Sequence, residues 1–201
     1  MEDNNITCKV VLVGDSGVGV TSIVDRYIHG NFNPNTESTI TSTYSSKTVN
    51  FEKYNKSISF DIWDPAGHDH YRALAINYYL GASIGILVYD ITRRSSFEEL
   101  QNYWYDALKS YGEENMFFAV VGNKCDLFSR EEVKEEEAKR FAESINAYFI
   151  LTSCKEAIGI EELFYNCSIK YLEQNKNAKS KRDKLKLDKK ENAKKGKKKC
   201  Y

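Results

Sequence analysis

Gly14–Ser22, GDSGVGVTS, holds the glycines, the hydroxyls and the spacing of a loop built to close around phosphate oxygens. Glycines let the backbone approach an anion, and the N–H groups at the start of a following helix supply positive potential. The apolar run Lys9–Val13 leads into the loop, and a helical stretch from Val18 follows it. This is the strand–loop–helix setting in which G-x-x-x-x-G-K-[ST] has meaning. Gly14, Gly19 and Thr21 fit that pattern, and the Thr21 hydroxyl is placed to ligate Mg²⁺. Val20 stands where the lysine belongs. Taken alone, the stretch reads equally well as a glycine-rich turn that holds nothing.

Three further groups add chemistry. Asp64-Pro65-Ala66-Gly67 follows an apolar run ending at Trp63; its carboxylate can hold a water on Mg²⁺, and a glycine amide can donate to a terminal phosphate. Asn123-Lys124-Cys125-Asp126 follows Phe117–Val121. A carboxylate at Asp126 accepts from both the ring N–H and the exocyclic amine of guanine, a pair that adenine does not offer. The lysine stem can cover the base, and the asparagine can tie two loops together. Thr152-Ser153-Cys154-Lys155 can present backbone N–H groups to the guanine carbonyl. D-x-x-G and TSCK are weak alone, whereas a polar N-K-x-D ending a buried strand has few structural uses, and their order along the chain makes all of them informative.

The elements that must position these groups alternate. Apolar, strand-like runs lie at Cys8–Val13, Tyr44–Phe51, Ser57–Trp63, Ile84–Tyr89, Phe117–Val121 and Tyr148–Thr152. Amphipathic helical stretches lie at Val18–His29, Tyr71–Leu80, Phe97–Tyr111, Arg130–Ile145 and Ile160–Asn175. Alternation predicts an α/β domain with a largely parallel sheet covered on both faces. Tyr44–Phe51 and Ser57–Trp63, separated only by Glu52–Lys56, predict a hairpin and one antiparallel strand. In Phe97–Tyr111 the residues Leu100, Trp104, Ala107, Leu108 and Tyr111 share one face. Ligands of such sheets sit outside the carboxyl ends of the strands, where all four groups fall.

Composition divides the 201 residues in two. Residues 176–201 hold 13 of the 29 Lys+Arg and 3 of the 29 Asp+Glu, so a +10 tail offsets a −10 domain. The tail has almost nothing apolar to bury and is expected to be disordered. It suits an anionic surface, the cytoplasmic leaflet or nucleic acid; without interleaved aromatics, nucleic acid is not expected. No run of eighteen apolar residues is present, and MEDNNITC lacks the features of a secretory leader. Five cysteines without CxxC spacing read as reduced thiols of a cytosolic chain, with Cys8 and Cys167 as small core residues.

GDSGVGVTS, ESTI (Glu37–Ile40), WDPAGH (Trp63–His68), YYLGA (Tyr78–Ala82), VYDIT (Val88–Thr92), GNKCDL (Gly122–Leu127) and TSCK together resemble a Ras-superfamily small GTPase of the Rab branch. ESTI with GDSGVG is similar to the endosomal group. The resemblance implies a three-layer P-loop GTPase fold over residues 6–175, with a mostly parallel six-stranded sheet, one antiparallel strand and helices on both faces. It implies GDP or GTP with Mg²⁺, cradled by Ser16, Gly17, Val18, Gly19, Val20, Thr21 and Ser22. Phe32 would pack edge-on against guanine, which Asn123, Lys124, Asp126, Ser153, Cys154 and Lys155 would hold. Thr21, Thr39 and, through water, Asp64 would serve the metal. Gly67 would sense the terminal phosphate. Tyr44, Trp63 and Tyr78 match the aromatic triad that meets effectors; ordinary core packing is the other reading, above all for Trp63. Effector, exchange and GTPase-activating proteins would be the protein partners, on the cytoplasmic face of endomembranes.

The chain also departs from that family. Val20 removes the ammonium of the phosphate loop. His68 replaces the glutamine that orients the attacking water, so hydrolysis should be slow. Pro65 replaces threonine and should stiffen the start of switch II, and Leu80 and Cys154 replace arginine and alanine. The tail ends in Lys197-Lys198-Lys199-Cys200-Tyr201, with one cysteine instead of the usual two. Prenylation of Cys200 with the polybasic segment would meet the two-signal requirement for anchoring; electrostatic attachment alone and a soluble protein are the alternatives. Two functions follow: a weakened guanine-nucleotide switch in membrane traffic, or a pseudo-GTPase scaffold that uses the switch surface without cycling.

Overall fold

The computed structural model describes residues 5–35, 42–52, 55–65 and 72–174. Six strands form one sheet: β1 (Asn5–Val13), β2 (Thr43–Phe51), β3 (Lys56–Asp64), β4 (Ile84–Asp90), β5 (Phe117–Asn123) and β6 (Tyr148–Thr152). Their order is β2-β3-β1-β4-β5-β6. All neighbours run parallel except β2 and β3, a hairpin in register from Thr43↔Asp64 to Phe51↔Lys56. The expected fold class is therefore observed.

Burial explains the strand patterns. Every residue of β4 and β5 is buried, as central parallel strands with both faces covered require. β3 alternates, with Ile58, Phe60, Ile62 and Asp64 inward. β2 is the exposed edge, and its polar residues, Lys47 among them, oppose pairing with another chain. One face of the sheet packs Val11, Val13, Leu87 and Tyr89 against Phe97, Leu100, Trp104 and Leu108. Elsewhere Tyr27 stacks on Phe164 with centroids 3.7 Å apart, and both rings meet Phe60 edge-on. Cys8 and Cys167 are fully buried, the small-core role expected of them.

The helices are α1 (Val20–His29), α2 (Arg72–Tyr79), α3 (Arg94–Glu99), α4 (Tyr105–Tyr111) and α5 (Glu135–Ser144). α1 starts two residues later than expected, because Gly19 adopts a left-handed φ of 98° and Val18 is buried in the loop. A π turn, Leu100–Trp104, joins α3 to α4. It keeps Leu100, Trp104 and Leu108 inward but leaves Tyr111 39% exposed, so the predicted apolar face ends early. The stretch from Arg130 is helical only from Glu135. A 3₁₀ turn covers Cys125–Arg130, and the Glu132 and Val133 N–H groups donate to the Ile91 carbonyl instead of to a helix. By its packing the chain divides into Met1–Cys167 and Ser168–Tyr201. Residues 160–167 of the first unit and 168–174 of the second are helical. Among the described residues no helix is long and apolar enough to cross a membrane.

Candidate functional site

The register Asp90↔Asn123↔Thr152 brings three parallel strands to an end together. The loops after β1, β4, β5 and β6 gather there. Gly14 opens the first of them. A Cβ on Gly14 would sit 2.3 Å from the Val88 carbonyl oxygen, so only glycine lets the loop cross β4. Gly19 is needed twice over: its φ is left-handed, and a Cβ there would lie 2.4 Å from Asn123 Nδ2. The helix begins at the next residue and leaves its first N–H groups free of helical partners, as an anion site requires.

Asn123 is the knot of the site. Only 2% exposed, it donates from Nδ2 to the Val18 carbonyl (2.8 Å) and accepts at Oδ1 from the Thr152 hydroxyl (3.0 Å) and the Cys154 thiol (3.7 Å). It thus ties the phosphate loop to both loops expected to read the base. Burial pushes the Cys154 thiol up to about 11, so at neutral pH it serves as a donor. Lys124, in a left-handed conformation, donates to the Gly17 carbonyl (2.7 Å) and pairs with Asp90 at 2.6 Å. Burial would raise the Asp90 pKa, but bonds from Lys124 and Thr92 overcome it and hold the group below the usual carboxylate range. The Ser153 hydroxyl donates to Asp126 Oδ1 at 2.6 Å and accepts from the Glu156 N–H. These bonds fix the carboxylate before any ligand arrives. A cleft of about 520 Å³ opens between these parts, lined by Gly19, Ser22, Phe32, Lys124, Asp126 and Lys155 among others. That is the size of a small-molecule site.

Thr21 and Asp64 converge although 43 residues apart, the threonine hydroxyl donating to Asp64 Oδ2 at 2.6 Å. A hydroxyl and a carboxylate, both oxygen donors, suit Mg²⁺, which is held by one or two protein groups plus waters and phosphates. Burial drives the Asp64 pKa from 3.8 up to about 6, while the bond from Thr21 opposes the rise. The folded chain therefore holds an extra proton between these values. Stability from this group is full below about pH 4 and is lost as pH rises through about 6. In EDTA, without nucleotide, the melting temperature should fall from pH 5 to 7, and Asp64→Asn should flatten that fall. An equally steep fall in the variant would assign it elsewhere.

The family model described as the Ras family matches residues 9–173. The chain is 46% identical to Ras-related protein Rab-22A of Homo sapiens over 160 residues, 80% of this chain and 81% of that protein. It is 45% identical to Ras-related protein Rab-31 of Rattus norvegicus over 160 residues, 80% of each. To Ras-related protein Rab5 of Nicotiana tabacum it is 41% identical over 162 residues, 81% of this chain and 80% of that one. The chain belongs to the Ras family, as a Rab-type small GTPase. Guanine nucleotide with Mg²⁺ is the ligand set of this family, and membrane traffic is the field in which its Rab branch works.

Within this Rab-type domain most of the expected site residues assemble. Thr39, Gly67, His68 and Cys200 lie outside the described residues. Val20 is the first residue of α1 and half-buried, so the missing ammonium is missing at the mouth of the helix. Lys9 does not replace it, since its ammonium donates to the Leu80 carbonyl at 2.8 Å and lies 5.3 Å from the Trp63 ring centre. Tyr44, Trp63 and Tyr78 form a continuous run of tilted rings with centroids 5.0 and 5.5 Å apart. Tyr44 is 54% exposed, whereas Trp63 and Tyr78 are partly buried against the core, so the triad is half surface and half packing.

Two arginines of this site are invisible to motif reading. Arg26 of α1 donates from Nε to the Cys154 carbonyl at 2.8 Å and so anchors the TSCK loop. Arg93 donates from Nη2 to the Ser16 carbonyl at 2.8 Å. Arg26 stands on an amphipathic helix and Arg93 in a polar turn, 128 and 77 residues from their partners, and nothing local marks them.

Proposed function

We propose that this Rab-type chain is a guanine-nucleotide switch of membrane traffic in which base recognition is complete and phosphate binding is weakened. The observation that carries the reading is the network around Asn123, Lys124 and Asp126, complete beside a phosphate loop with Val20 at the lysine position. A charge-assisted hydrogen bond contributes about 1.5–3 kcal/mol. Its loss corresponds to about ten- to a hundredfold in affinity. Phe32 and Lys155 would close over the base, and Thr21, Thr39 and Asp64 would serve Mg²⁺. Gly67 would sense the terminal phosphate. His68 is too short to accept from water and donate to phosphate at once, so hydrolysis is slow.

Residues 6–175 are the switch domain in this reading, and residues 176–201 a polybasic tail. The tail, with Cys200 prenylated, holds the protein on the cytoplasmic face of endomembranes, the endosomal ones in particular. Tyr44, Trp63 and Tyr78 present the switch state to effectors and regulators. The triad, with Tyr44 half-exposed and its three rings in continuous contact, favours a second reading: a scaffold that meets partners without cycling. Heating separates the two. The switch requires Mg²⁺·GDP to raise the melting temperature and Mg²⁺·ADP to leave it unchanged; no response to GDP supports the scaffold.

A further inference from the structure

Val20 leaves the phosphate loop without a cation of its own, and two side chains from other loops reach it. Lys124 touches the Gly17 carbonyl, but its charge is matched by Asp90 at 2.6 Å. Arg93, on the turn that follows β4, is engaged differently. Its Nη2 donates to the Ser16 carbonyl at 2.8 Å and makes a longer ion pair, 3.8 Å, with the Asp15 carboxylate of the same loop. Its Nη1 would lie 3.8 Å from a Cβ on Gly17, so the guanidinium runs along the loop backbone itself. Its Nε is buried and has no hydrogen-bond partner. A buried donor of a cation left unpaired is costly, and a structural brace alone gives no reason to keep it. The neighbour Arg94 shows what such a brace looks like: both of its terminal nitrogens bond Glu137, at 2.9 and 2.7 Å.

Arg93 and Lys124 grip successive peptide units of the loop from their carbonyl sides. The carbonyl of Ser16 and the N–H of Gly17 belong to one peptide, and no peptide bond among the described residues is cis. The Gly17 N–H therefore points away from Arg93. A cation on a carbonyl polarises its peptide and strengthens the N–H on the other side as a donor. The guanidinium keeps its charge at any working pH and adds positive potential to the loop.

We infer that Arg93 is the surrogate cation of this phosphate loop, a positioning residue that polarises the Ser16–Gly17 peptide toward the phosphates of a guanine nucleotide and offsets the loss at Val20. This rests on the reading of the cleft as a guanine-nucleotide site. Its mark is that Arg93 matters only while Val20 is present.

The test is a double-mutant cycle read by equilibrium titration of the full chain with Mg²⁺·GDP. Arg93→Gln should weaken binding about tenfold in the natural chain and less than about threefold in the Val20→Lys background. Arg93→Lys, which keeps the charge, should stay within about threefold of the natural chain and serves if Arg93→Gln fails to fold. Equal losses in both backgrounds would reduce Arg93 to a brace of the loop and overturn the inference alone. A folded Arg93→Lys that loses as much as about tenfold would do the same. No GDP binding by the natural chain would overturn the nucleotide reading, and this inference with it.

Discussion

Val20→Lys should tighten Mg²⁺·GDP binding more than about tenfold, the equivalent of one charge-assisted hydrogen bond. The position is the first residue of α1, immediately after the left-handed Gly19. A side chain there leaves from the rim of the loop, where the helix N–H groups already favour an anion. Without nucleotide the same lysine is a half-desolvated charge at the positive end of a helix, so the melting temperature of the nucleotide-free variant should not rise. The gain belongs to the complex. Unchanged affinity, measured by titration, would mean that the site is already compensated in full or closed to phosphate. The variant also provides the background in which His68 can be judged, since His68→Gln can raise single-turnover hydrolysis only where the phosphates are held.

The second large effect lies at the opposite end of the cleft. Asp126→Ala should weaken GDP binding about a hundredfold or more, because two donors of guanine lose one ionised acceptor. Discrimination against ADP should collapse in the same variant. The carboxylate is already oriented by the Ser153 hydroxyl at 2.6 Å, so the natural chain spends little on ordering it when guanine arrives. Ser153→Ala should therefore act in the same direction and by a smaller factor. Retained GDP selectivity in Asp126→Ala would remove the base-reading role from this loop.

The two ends of the cleft were not equally legible in the sequence. The strands stood out because β4 and β5 are buried along their whole length and carry no charged or amide side chain before their last residues, Asp90 and Asn123. The hairpin stood out because only Glu52–Lys56 separates its strands. Asn123 and Asp126 were legible because polar residues ending a buried strand have few structural uses, and Asn123 indeed bonds three other residues of the site. Helix starts were less so. Backbone bonds from Glu132 and Val133 to Ile91 displace the start of α5, and such a contact leaves no periodic trace. The roles of Arg26 and Arg93 were hidden for the same reason: an arginine on a helix or in a polar turn reads as solvated until the fold places a carbonyl in front of it. The phosphate end is thus more complete in space than its motif suggests.

The measurement that bears most directly on a switch with its base recognition intact and its phosphate grip loosened is the nucleotide content of the purified full chain. The protein, desalted quickly in Mg²⁺, is denatured and the released small molecules are chromatographed. GDP or GTP should be released at a fraction of one equivalent, rising toward one in Val20→Lys, with no adenine nucleotide in either. Adenine and guanine nucleotides in comparable amounts, or no nucleotide from either protein, would contradict such a switch.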